Sequence, residues 1–417
     1  MKTVVVGQGY VGLPVAMRAV EVGHEVVGID LDANRVGLLQ AGSSYVDDIS
    51  DETLTGASAS GRYLATMAYA DVEGFDIAVI TVPTPLRDSL PDLSFIEQSA
   101  ASLAPFIRPG VTVILESTTY PGTTDELLVP ILESGSSLVA GVDFFVGYSP
   151  ERIDPGNKTW GFRETPKVVS GMNPASLEKV QGFYDLLVDI TVPVSGTREA
   201  ELTKLLENTF RHVNIALVNE LAIFAHQLGV DVWESIEAAS SKPFGFMKFT
   251  PGPGVGGHCL PVDPSYLSWQ VRKQLGKSFR FVELANDVND HMPDYVVQRA
   301  MTMLNDRSKA VRGAKIALVG LAYKPNTGDI REAPSARVIE LLVELGADVR
   351  ALDSHVEEHR WPTSVLRLTS LADAVADADL VIVLTDHADV DLSALGVLDV
   401  PVFDARHVVA GDNVETL

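Results

Sequence analysis

A glycine-rich turn between a short apolar run and a helical pattern constrains the fold of this chain more than any other feature. The run is Lys2–Val6, and the turn after it reads GQGYVG. In such a turn Gly7 allows the tight bend, Gly9 lets the backbone approach a pyrophosphate, and Gly12 lets helix and strand pack closely. The free N–H groups of the helix then face the phosphates. The start of the chain therefore predicts a dinucleotide-binding βα unit.

An acidic residue supports this prediction. Asp30 ends the second predicted strand, about 18 residues after Gly12 and near the ~20 that the fingerprint expects. Its carboxylate would accept hydrogen bonds from ribose hydroxyls and repel a 2′-phosphate, which favours NAD over NADP. The alternative is a tight turn in a sheet that binds nothing. The predicted cofactor-binding residues of this region are Gly7, Gly9, Tyr10, Val11, Gly12 and Asp30.

The period of the apolar residues changes twice along the chain. Predicted strands of the first part are Lys2–Val6, Glu25–Asp30, Asp76–Val82, Val111–Glu116, Val142–Tyr148, Lys167–Gly171 and Ile190–Val194, with helices near Ser94–Phe106 and Thr124–Glu133. This alternation predicts a parallel sheet built from βαβ units. Residues 198–228 contain no proline or glycine and have apolar residues at three- and four-residue spacing, which predicts one long helix.

Further helices are predicted at Val232–Ser240 and near Phe279–Leu304, and strand–helix alternation restarts at Lys315–Gly320. The predicted fold class is α/β, with two Rossmann-like parallel-sheet domains joined by a central, mainly helical domain with one long helix. The predicted domains are an NAD-binding domain at 1–196, a central helical domain at 197–305 and a C-terminal domain at 306–417.

Composition limits the possible partners. A length of 417 residues suggests two or three domains, and the net charge of −24 argues against nucleic acid or an acidic membrane surface. No apolar run approaches the roughly 20 residues of a membrane helix. A single cysteine excludes an intrachain disulfide and fits a cytoplasmic location. No metal site is predicted.

That single cysteine, Cys259, lies in the stretch GPGVGGHCLPVD at 252–263. A lone cysteine is often a small buried apolar residue. Here the glycines are expected to leave the backbone bare for a substrate, and His258 and Asp263 supply proton-handling groups. A free thiol has a pKa of about 8.5 and needs a positive neighbour to become a thiolate. Both the structural and the catalytic interpretations stay open at this point.

Other polar residues stand at positions suited to a site. Lys204 and Asn208 are four apart on the long helix and share a face, although a solvated surface pair is an equal alternative. STTYPGTT, YSPERIDPG and TVPTP follow predicted strands, where ligands of such sheets bind, so Thr118 and Glu151 are candidates. GLAYKPNTGDIRE, after the strand at 315–320, lacks a complete GxGxxG and predicts a ligand other than a dinucleotide.

The order of these motifs along essentially the whole chain resembles the nucleotide-sugar 6-dehydrogenases, the UDP-glucose/GDP-mannose dehydrogenase family. SPERIDPGN, KPFGF and GGHCLPVDP are most similar to the branch that oxidises UDP-N-acetylglucosamine or UDP-N-acetylmannosamine. The resemblance implies a four-electron oxidation of a 6-hydroxymethyl group to a carboxylate with two NAD molecules, giving a uronic acid of the kind used in polysaccharide biosynthesis. It also implies a homodimer through the central helices.

The resemblance further implies residue roles. Cys259 would form a thiohemiacetal and then a thioester, Lys204 and Asn208 would stabilise the oxyanion, and Asp263, Glu151 and Thr118 would handle water and protons. Further cofactor contacts would come from Arg35, Pro83, Thr84, Thr118 and Arg331. Substrate contacts would come from Glu151, Arg152, Lys204, Asn208, Gly256, Gly257, Lys324 and Arg406.

One segment departs from the family pattern. Some relatives carry an arginine upstream of the glycine loop that reaches the partner subunit's sugar, whereas here Lys242–Thr250 reads KPFGFMKFT. The sugar and the cross-subunit contact therefore stay open. UDP-glucose or another NDP-hexose is the sibling alternative. A two-electron NAD-dependent hydroxy-acid dehydrogenase and a non-catalytic NAD sensor are the alternatives of other classes.

Overall fold

The computed structural model describes residues 1–46, 48–87, 90–153, 159–257, 260 and 262–417. The chain forms two compact units, unit 1 (Met1–Glu207) and unit 2 (Asn208–Leu417). The boundary falls within one long helix, α7 (Thr197–Leu228), which the lack of proline and glycine predicts. The division into three domains stays a prediction.

Unit 1 alternates strands and helices. Its strands are β1 (Lys2–Val6), β2 (Glu25–Ile29), β3 (Tyr63–Thr66), β4 (Ile77–Ile80), β5 (Leu86–Arg87), β6 (Leu90–Pro91), β7 (Thr112–Leu115), β8 (Phe145–Tyr148), β9 (Lys167–Gly171) and β10 (Thr191–Pro193). Its helices before α7 are α1 (Gly12–Glu21), α2 (Ala33–Gln40), α3 (Asp51–Ala59), α4 (Ser94–Leu103), α5 (Val129–Ser136) and α6 (Pro174–Leu187). A π-helical turn, Thr124–Leu128, precedes α5.

The main sheet of unit 1 has the strand order β10-β9-β8-β7-β4-β1-β2-β3, while β5 and β6 form a separate antiparallel pair. Neighbouring strands of the main sheet are parallel except β8 and β9, which run in opposite directions. Strand β1 has β2 on one side and β4 on the other, so the chain changes direction across the sheet there. The carboxyl ends of β1, β4, β7 and β8 therefore share one edge, and ligands of such sheets bind beside the change of direction.

Residues of β1 after Lys2 are buried, as expected of a strand covered by helices on both faces of a parallel sheet. The helix α1 begins directly after the glycine turn and packs Leu13, Val15 and Ala16 into the core. The helix α2 begins after Asp32, whose side chain accepts hydrogen bonds from the Asn34 and Arg35 N–H groups.

Unit 2 combines helices with a parallel sheet. Its strands are β11 (Lys315–Val319), β12 (Asp348–Leu352), β13 (Leu366–Arg367), β14 (Leu380–Val383), β15 (Val402–Asp404) and β16 (Val414–Thr416), in the order β13-β12-β11-β14-β15-β16. Its helices after α7 are α8 (Val232–Ser240), α9 (Asp263–Leu275), α10 (Arg280–Asp290), α11 (Met292–Asp306), α12 (Pro334–Glu344) and α13 (Leu371–Val375). One apolar core joins α8, α11 and this sheet.

Among the described residues, no helix combines the length and the apolar character that crossing a bilayer requires.

Candidate active site

The glycine turn after β1 is held by backbone contacts. Gly7 has φ +91°, and a Cβ there would lie 2.9 Å from the carbonyl oxygen of Thr81. A Cβ at Gly12 would lie 1.8 Å from the carbonyl oxygen of Gly7. At Gly9, by contrast, a Cβ would meet nothing within 4 Å. Gly7 and Gly12 are therefore required by packing, and Gly9 leaves open space beside the turn.

Asp30 lies just beyond the end of β2 and contacts this turn. One carboxylate oxygen accepts a 2.9 Å hydrogen bond from the Gln8 N–H, and the other accepts one of 2.9 Å from the Asp32 N–H. The Arg35 guanidinium lies 3.6 Å from the oxygen that Gln8 contacts. Each carboxylate oxygen can accept a second hydrogen bond, so Asp30 retains capacity for ribose hydroxyls.

These residues fit an adenine dinucleotide. The space at Gly9 is where a pyrophosphate would approach, and the N-terminus of α1 begins immediately after Val11, with no side chain capping it. Tyr10 is exposed at the tip of the turn. The arrangement can therefore hold the phosphates through backbone N–H groups and the adenosine ribose through Asp30.

Two neighbouring loops of the same edge are tied together. The Thr84 hydroxyl, after β4, donates a 2.7 Å hydrogen bond to the carbonyl oxygen of Thr118, after β7. The Ser117 hydroxyl donates back to the carbonyl oxygen of Val82 at 2.6 Å. Unit 1 thus brings together the predicted cofactor residues Pro83, Thr84 and Thr118.

Glu151 and Lys204 are also brought together. The Lys204 ammonium donates a 2.6 Å hydrogen bond to the backbone carbonyl of Glu151, which follows β8. Arg152 forms a 2.7 Å ion pair with Glu207 and donates to the Pro166 carbonyl at 2.7 Å. These contacts attach the SPER loop to α7. Arg152, predicted to bind substrate, is thus engaged within the protein.

A buried charged cluster behind Glu151 is absent from the sequence predictions. The Lys167 ammonium contacts one oxygen of Glu116 and, at 2.6 Å, one oxygen of Glu151. The Tyr184 hydroxyl donates a 2.5 Å hydrogen bond to the other Glu116 oxygen. Charged residues at the ends of the apolar runs of β7 and β9 were the only available signal.

Glu201, on α7, is a second residue that sequence reasoning missed. Its buried carboxylate accepts hydrogen bonds from the Gly122 N–H at 2.6 Å and from the N–H and hydroxyl of Thr124 at 2.9 and 2.7 Å. Burial raises the pKa of Glu201 to about 7, although these hydrogen bonds oppose the shift. Glu201 therefore fixes the loop that carries Thr118.

In unit 2, Asn208 and Asp263 form a buried pair. The Asn208 amide donates a 2.5 Å hydrogen bond to the Asp263 carboxylate, and both residues are less than a tenth exposed. Asp263 is the first residue of α9 rather than part of a loop. The amide thereby fixes the orientation of the carboxylate.

Cys259 and His258 lie outside the described residues, and so do residues 154–158 of the SPERIDPGNK segment. Two glycines before the cysteine pack closely against Tyr323 on one side. A Cβ at Gly256 would approach Tyr323 Cβ at 2.8 Å, and one at Gly257, where φ is +85°, would approach the Tyr323 ring at 2.7 Å. Tyr323 therefore fills the space on the Cβ side of Gly256 and Gly257, so only glycine fits at these two positions, and their role in substrate binding stays a prediction.

A buried polar network holds the start of this loop. The Gly252 N–H donates a 2.9 Å hydrogen bond to the Asn219 side chain, which donates to Asn289 at 2.9 Å. His212 contacts Asn286 at 2.7 Å, and burial lowers the pKa of His212. Neutral side chains therefore hold the start of the loop at Gly252 in place.

The basic residues of unit 2 that are predicted to contact substrate or cofactor occupy three places. The Arg406 guanidinium pairs with Asp386 at 3.2 Å and lies against Gly252, where an added Cβ would be 3.0 Å from it. Arg331 pairs with Asp329 at 2.5 Å and is exposed, while its carbonyl accepts the Gly257 N–H at 3.2 Å. Lys324 lies in the loop between β11 and α12. Arg406 and the backbone at Arg331 thus adjoin the glycine loop.

Among the described residues, His355, His387 and Asp389 place potential metal-ligating atoms within 4.8 Å of one another. Both His387 nitrogens are already engaged, one with Asp353 at 3.0 Å and the other by the Asn326 N–H at 3.0 Å. His387 therefore serves the protein's own hydrogen bonds and is a poor metal ligand.

Comparison with known proteins assigns family domains along the chain. Models of the UDP-glucose/GDP-mannose dehydrogenase family match residues 1–188 as its NAD binding domain, residues 198–291 as its central domain and residues 317–411 as its UDP binding domain.

Named relatives agree with these matches. A UDP-N-acetyl-D-mannosamine dehydrogenase from Pyrococcus horikoshii is 34% identical over 390 residues, covering 93% of this chain and 90% of the relative. An NDP-N-acetyl-D-galactosaminuronic acid dehydrogenase from Ralstonia nicotianae is 35% identical over 392 residues, covering 92% and 90%. The solved structure of a UDP-D-ManNAc dehydrogenase from Pyrococcus horikoshii has a TM-score of 0.89 at 32% identity, covering 99% of both chains.

Proposed function

Because the chain belongs to the UDP-glucose/GDP-mannose dehydrogenase family, with its NAD binding domain, we propose that it is a UDP-N-acetylhexosamine 6-dehydrogenase. The enzyme is an NAD-dependent oxidoreductase of nucleotide-sugars. The observation that carries the proposal is the order of the NAD-binding, central and UDP-binding matches along one chain. The named relatives at 34% and 35% identity act on N-acetylated sugars by their names, which favours that substrate class.

The proposed reaction oxidises the 6-hydroxymethyl group to a carboxylate in stages at one site. The Gly7–Gly12 turn would hold NAD, and two NAD molecules in succession would each accept one hydride. Loss of one hydride and of the hydroxyl proton would give an aldehyde. The Cys259 thiolate would add to the aldehyde carbon, and the resulting alkoxide would take up a proton to give a thiohemiacetal. Loss of a second hydride and of the thiohemiacetal hydroxyl proton would give a thioester. Water would hydrolyse the thioester to the carboxylate and the free thiolate, with release of two protons.

The described residues support particular roles. The Lys204 ammonium, held 2.6 Å from the Glu151 carbonyl oxygen, is a fixed positive charge suited to stabilise a developing oxyanion. Asn208 is proposed to stabilise the same charge and to hold Asp263. The Asp263 carboxylate, oriented by Asn208, would orient the hydrolytic water. Thr118 and Glu151 would hold water near the reacting carbon.

For the nucleotide-sugar, we propose Lys324 and Arg406 as phosphate contacts and the backbone at Gly256 and Gly257 as part of the sugar pocket. Arg331 is proposed to reach the cofactor. The free thiol that the chemistry needs persists in a reducing cytoplasm, where we propose that the enzyme works.

Product analysis tests this proposal. The protein is incubated with NAD and, separately, UDP-N-acetylmannosamine, UDP-N-acetylglucosamine, UDP-glucose and GDP-mannose, and the products are identified by mass spectrometry. We expect the uronate of a UDP-N-acetylhexosamine. Turnover of UDP-glucose alone would contradict the sugar assignment, and the absence of any uronate would contradict the proposed activity.

We also propose a homodimer formed through α7 and its neighbours. In unit 2 this helix exposes apolar side chains at helical spacing, and α10 adds two more: Phe210, Leu217, Leu221, Phe224, Leu228, Phe281 and Leu284. Contiguous exposed apolar surface of this kind is typical of an interface.

The dimer is tested by sedimentation velocity. We expect the wild-type chain to sediment as a dimer and Phe224→Glu to shift it to a monomer, because a charge would be buried in an apolar contact. Gln227→Glu, at an exposed position of the same helix, is the matched control and should remain dimeric. A wild-type monomer at micromolar concentration would exclude the dimer.

A further inference from the structure

The Glu116–Lys167–Glu151 cluster connects three neighbouring strands of unit 1 at its proposed catalytic edge. Glu116 follows β7 directly, Glu151 lies just after β8, and Lys167 is the first residue of β9. The Lys167 ammonium contacts both carboxylates, and Tyr184 of α6 donates to the far oxygen of Glu116. The side chain of Lys167 is only 3% exposed, so it cannot contact a ligand directly.

Glu151 is fixed on every polar side by these contacts. One carboxylate oxygen accepts the Arg152 and Ile153 N–H groups at 2.7 and 2.6 Å, and the other accepts the Lys167 ammonium at 2.6 Å. The backbone carbonyl of the same residue holds Lys204. A shift of the Glu151 backbone would therefore also displace Lys204.

A single buried ammonium cannot neutralise two carboxylates, so their pKa values move apart. Burial raises the pKa of Glu116 to about 8, and the charge of Glu151 adds to this shift although Lys167 opposes it. Burial also disfavours ionisation of Glu151, but the charge of Lys167 and the hydrogen bonds from its neighbours outweigh it and lower the pKa to about 2. The surroundings therefore favour the ionised form at Glu151 more than at Glu116.

We propose, resting on the function proposed above, that Lys167 is the positioning residue that keeps Glu151 ionised and fixed during turnover. The Glu151 carboxylate then acts as a hydrogen-bond acceptor that orients water, while its backbone carbonyl holds Lys204. Within the part of the chain that the structure describes, the charged and titratable groups around Glu151 are Glu116, Arg152, Lys167, Tyr184 and Lys204.

The test compares pH profiles of Lys167→Met and Lys167→Arg with the wild type and with Lys179→Met, a matched control at an exposed lysine on α6. In Lys167→Met, the Glu151 pKa is expected to rise toward or above its ordinary value of ~4.3. We expect kcat to fall about 10- to 100-fold and KM for both substrates to stay unchanged. This decrease is smaller than the largest decreases that follow removal of a residue that transfers a proton itself.

The decisive readout is the shape of the profile. In Lys167→Met, kcat should show a new decrease as the pH falls. This decrease should be absent in the wild type, in Lys179→Met and in Lys167→Arg, which keeps the positive charge. At low pH the kcat of Lys167→Met should approach that of Glu151→Gln, a neutral mimic of protonated Glu151. Parallel profiles for Lys167→Met and the wild type, or full activity of Glu151→Gln, would overturn the proposal.

If Lys167→Met does not fold by circular dichroism, Glu116→Gln provides the second test. In this variant Lys167 pairs with Glu151 alone, so the decrease of kcat at low pH should be the same as in the wild type. A new decrease of kcat at low pH would also overturn the proposal. Uronate formation by the wild type is measured first. Failure at that step refutes the proposed function, whereas a uronate with unaltered profiles refutes only the role of Lys167.

Discussion

The main sheets of the two units make the same turn after their first strands, but the turn continues differently in each unit. After β1, Gly7 adopts φ +91° and faces the carbonyl of Thr81, and after β11, Gly320 adopts φ +82° and faces the carbonyl of Thr385. In unit 1 the turn continues into α1 after a short segment that leaves space at Gly9. In unit 2 the turn continues into a longer loop that reaches α12 only at Pro334.

The clearest contrast between the units is the carboxylate after the second strand of each sheet, Asp30 after β2 and Asp353 after β12. Asp30 accepts one N–H on each oxygen, whereas Asp353 accepts the N–H groups of Leu321 and Ala322, at 2.7 and 3.0 Å, and His387 at 3.0 Å on one oxygen alone. Its other oxygen accepts two further backbone N–H groups. Asp353 therefore has no acceptor capacity left for a ribose. At the same position of the fold, unit 1 keeps acceptor capacity that we propose for a ribose, whereas unit 2 uses the carboxylate for its own backbone and His387.

Gly12→Ala has the largest expected effect. The added Cβ would lie 1.8 Å from the Gly7 carbonyl oxygen, so the turn and α1 must move apart. We expect a loss of about 3 kcal/mol in the free energy of unfolding of unit 1 and no detectable NAD binding. Fluorescence titration with NAD and thermal unfolding measure both.

Gly9→Ala is the matched control for this change. Its Cβ meets nothing within 4 Å, so the unfolding free energy should be unchanged while NAD binding weakens. If both alanine variants bound NAD like the wild type, unit 1 would not hold the dinucleotide at this turn.

Asp353→Asn should have the next largest effect, on stability. Burial alone would raise the pKa of Asp353, but the His387 hydrogen bond and the backbone N–H groups outweigh it and hold the pKa well below its ordinary range. The ionised carboxylate therefore stabilises unit 2 above its unfolded-state pKa of ~3.9, and this contribution is lost as the pH falls below that value. We expect a loss of about 1–3 kcal/mol at neutral pH.

Urea unfolding from neutral pH to below about pH 4 checks the sign. The difference between wild type and Asp353→Asn should shrink as the solution becomes more acidic, and NAD affinity should stay unchanged at neutral pH. A difference that grew on acidification would contradict the assignment.

Asp30→Asn should have the smallest effect, and it should act on the ligand. The amide keeps the size of the side chain but removes the charge that repels a 2′-phosphate. We expect NAD affinity to fall about tenfold, equivalent to ~1.4 kcal/mol, and discrimination against NADP to weaken, with little change in stability. Equilibrium titrations with NAD and NADP measure this, and Asp32→Asn on the same turn is the control. An unchanged NAD-to-NADP ratio would show that Asp30 does not contact the ribose.

Much of the fold follows from local sequence. The strands at β1, β4, β7 and β11 and the helix α7 are predictable because apolar runs and their spacing record burial directly. The short helices α2 and α3 were not predicted, because they are polar and bury few side chains. Their capping residues Asp32 and Ser50 were the signal that could have identified them.

The pairings within the site could not be predicted from the sequence. Lys167 meets Glu116 across 51 positions, and Asn208 meets Asp263 across 55, so both depend on how elements pack. The antiparallel direction of β9 next to β8, which places Lys167 behind Glu151, has no local signature. Motif order predicted which residues are candidates, and tertiary structure determines which partners hold them.

The most direct test of the proposed four-electron oxidation is the ratio of NADH formed to UDP-N-acetylhexosamine consumed at completion, measured by absorbance and quantitative mass spectrometry. Two NADH per sugar with the uronate as product is the expected result. One NADH per sugar with an aldehyde or ketone as the final product would contradict the account.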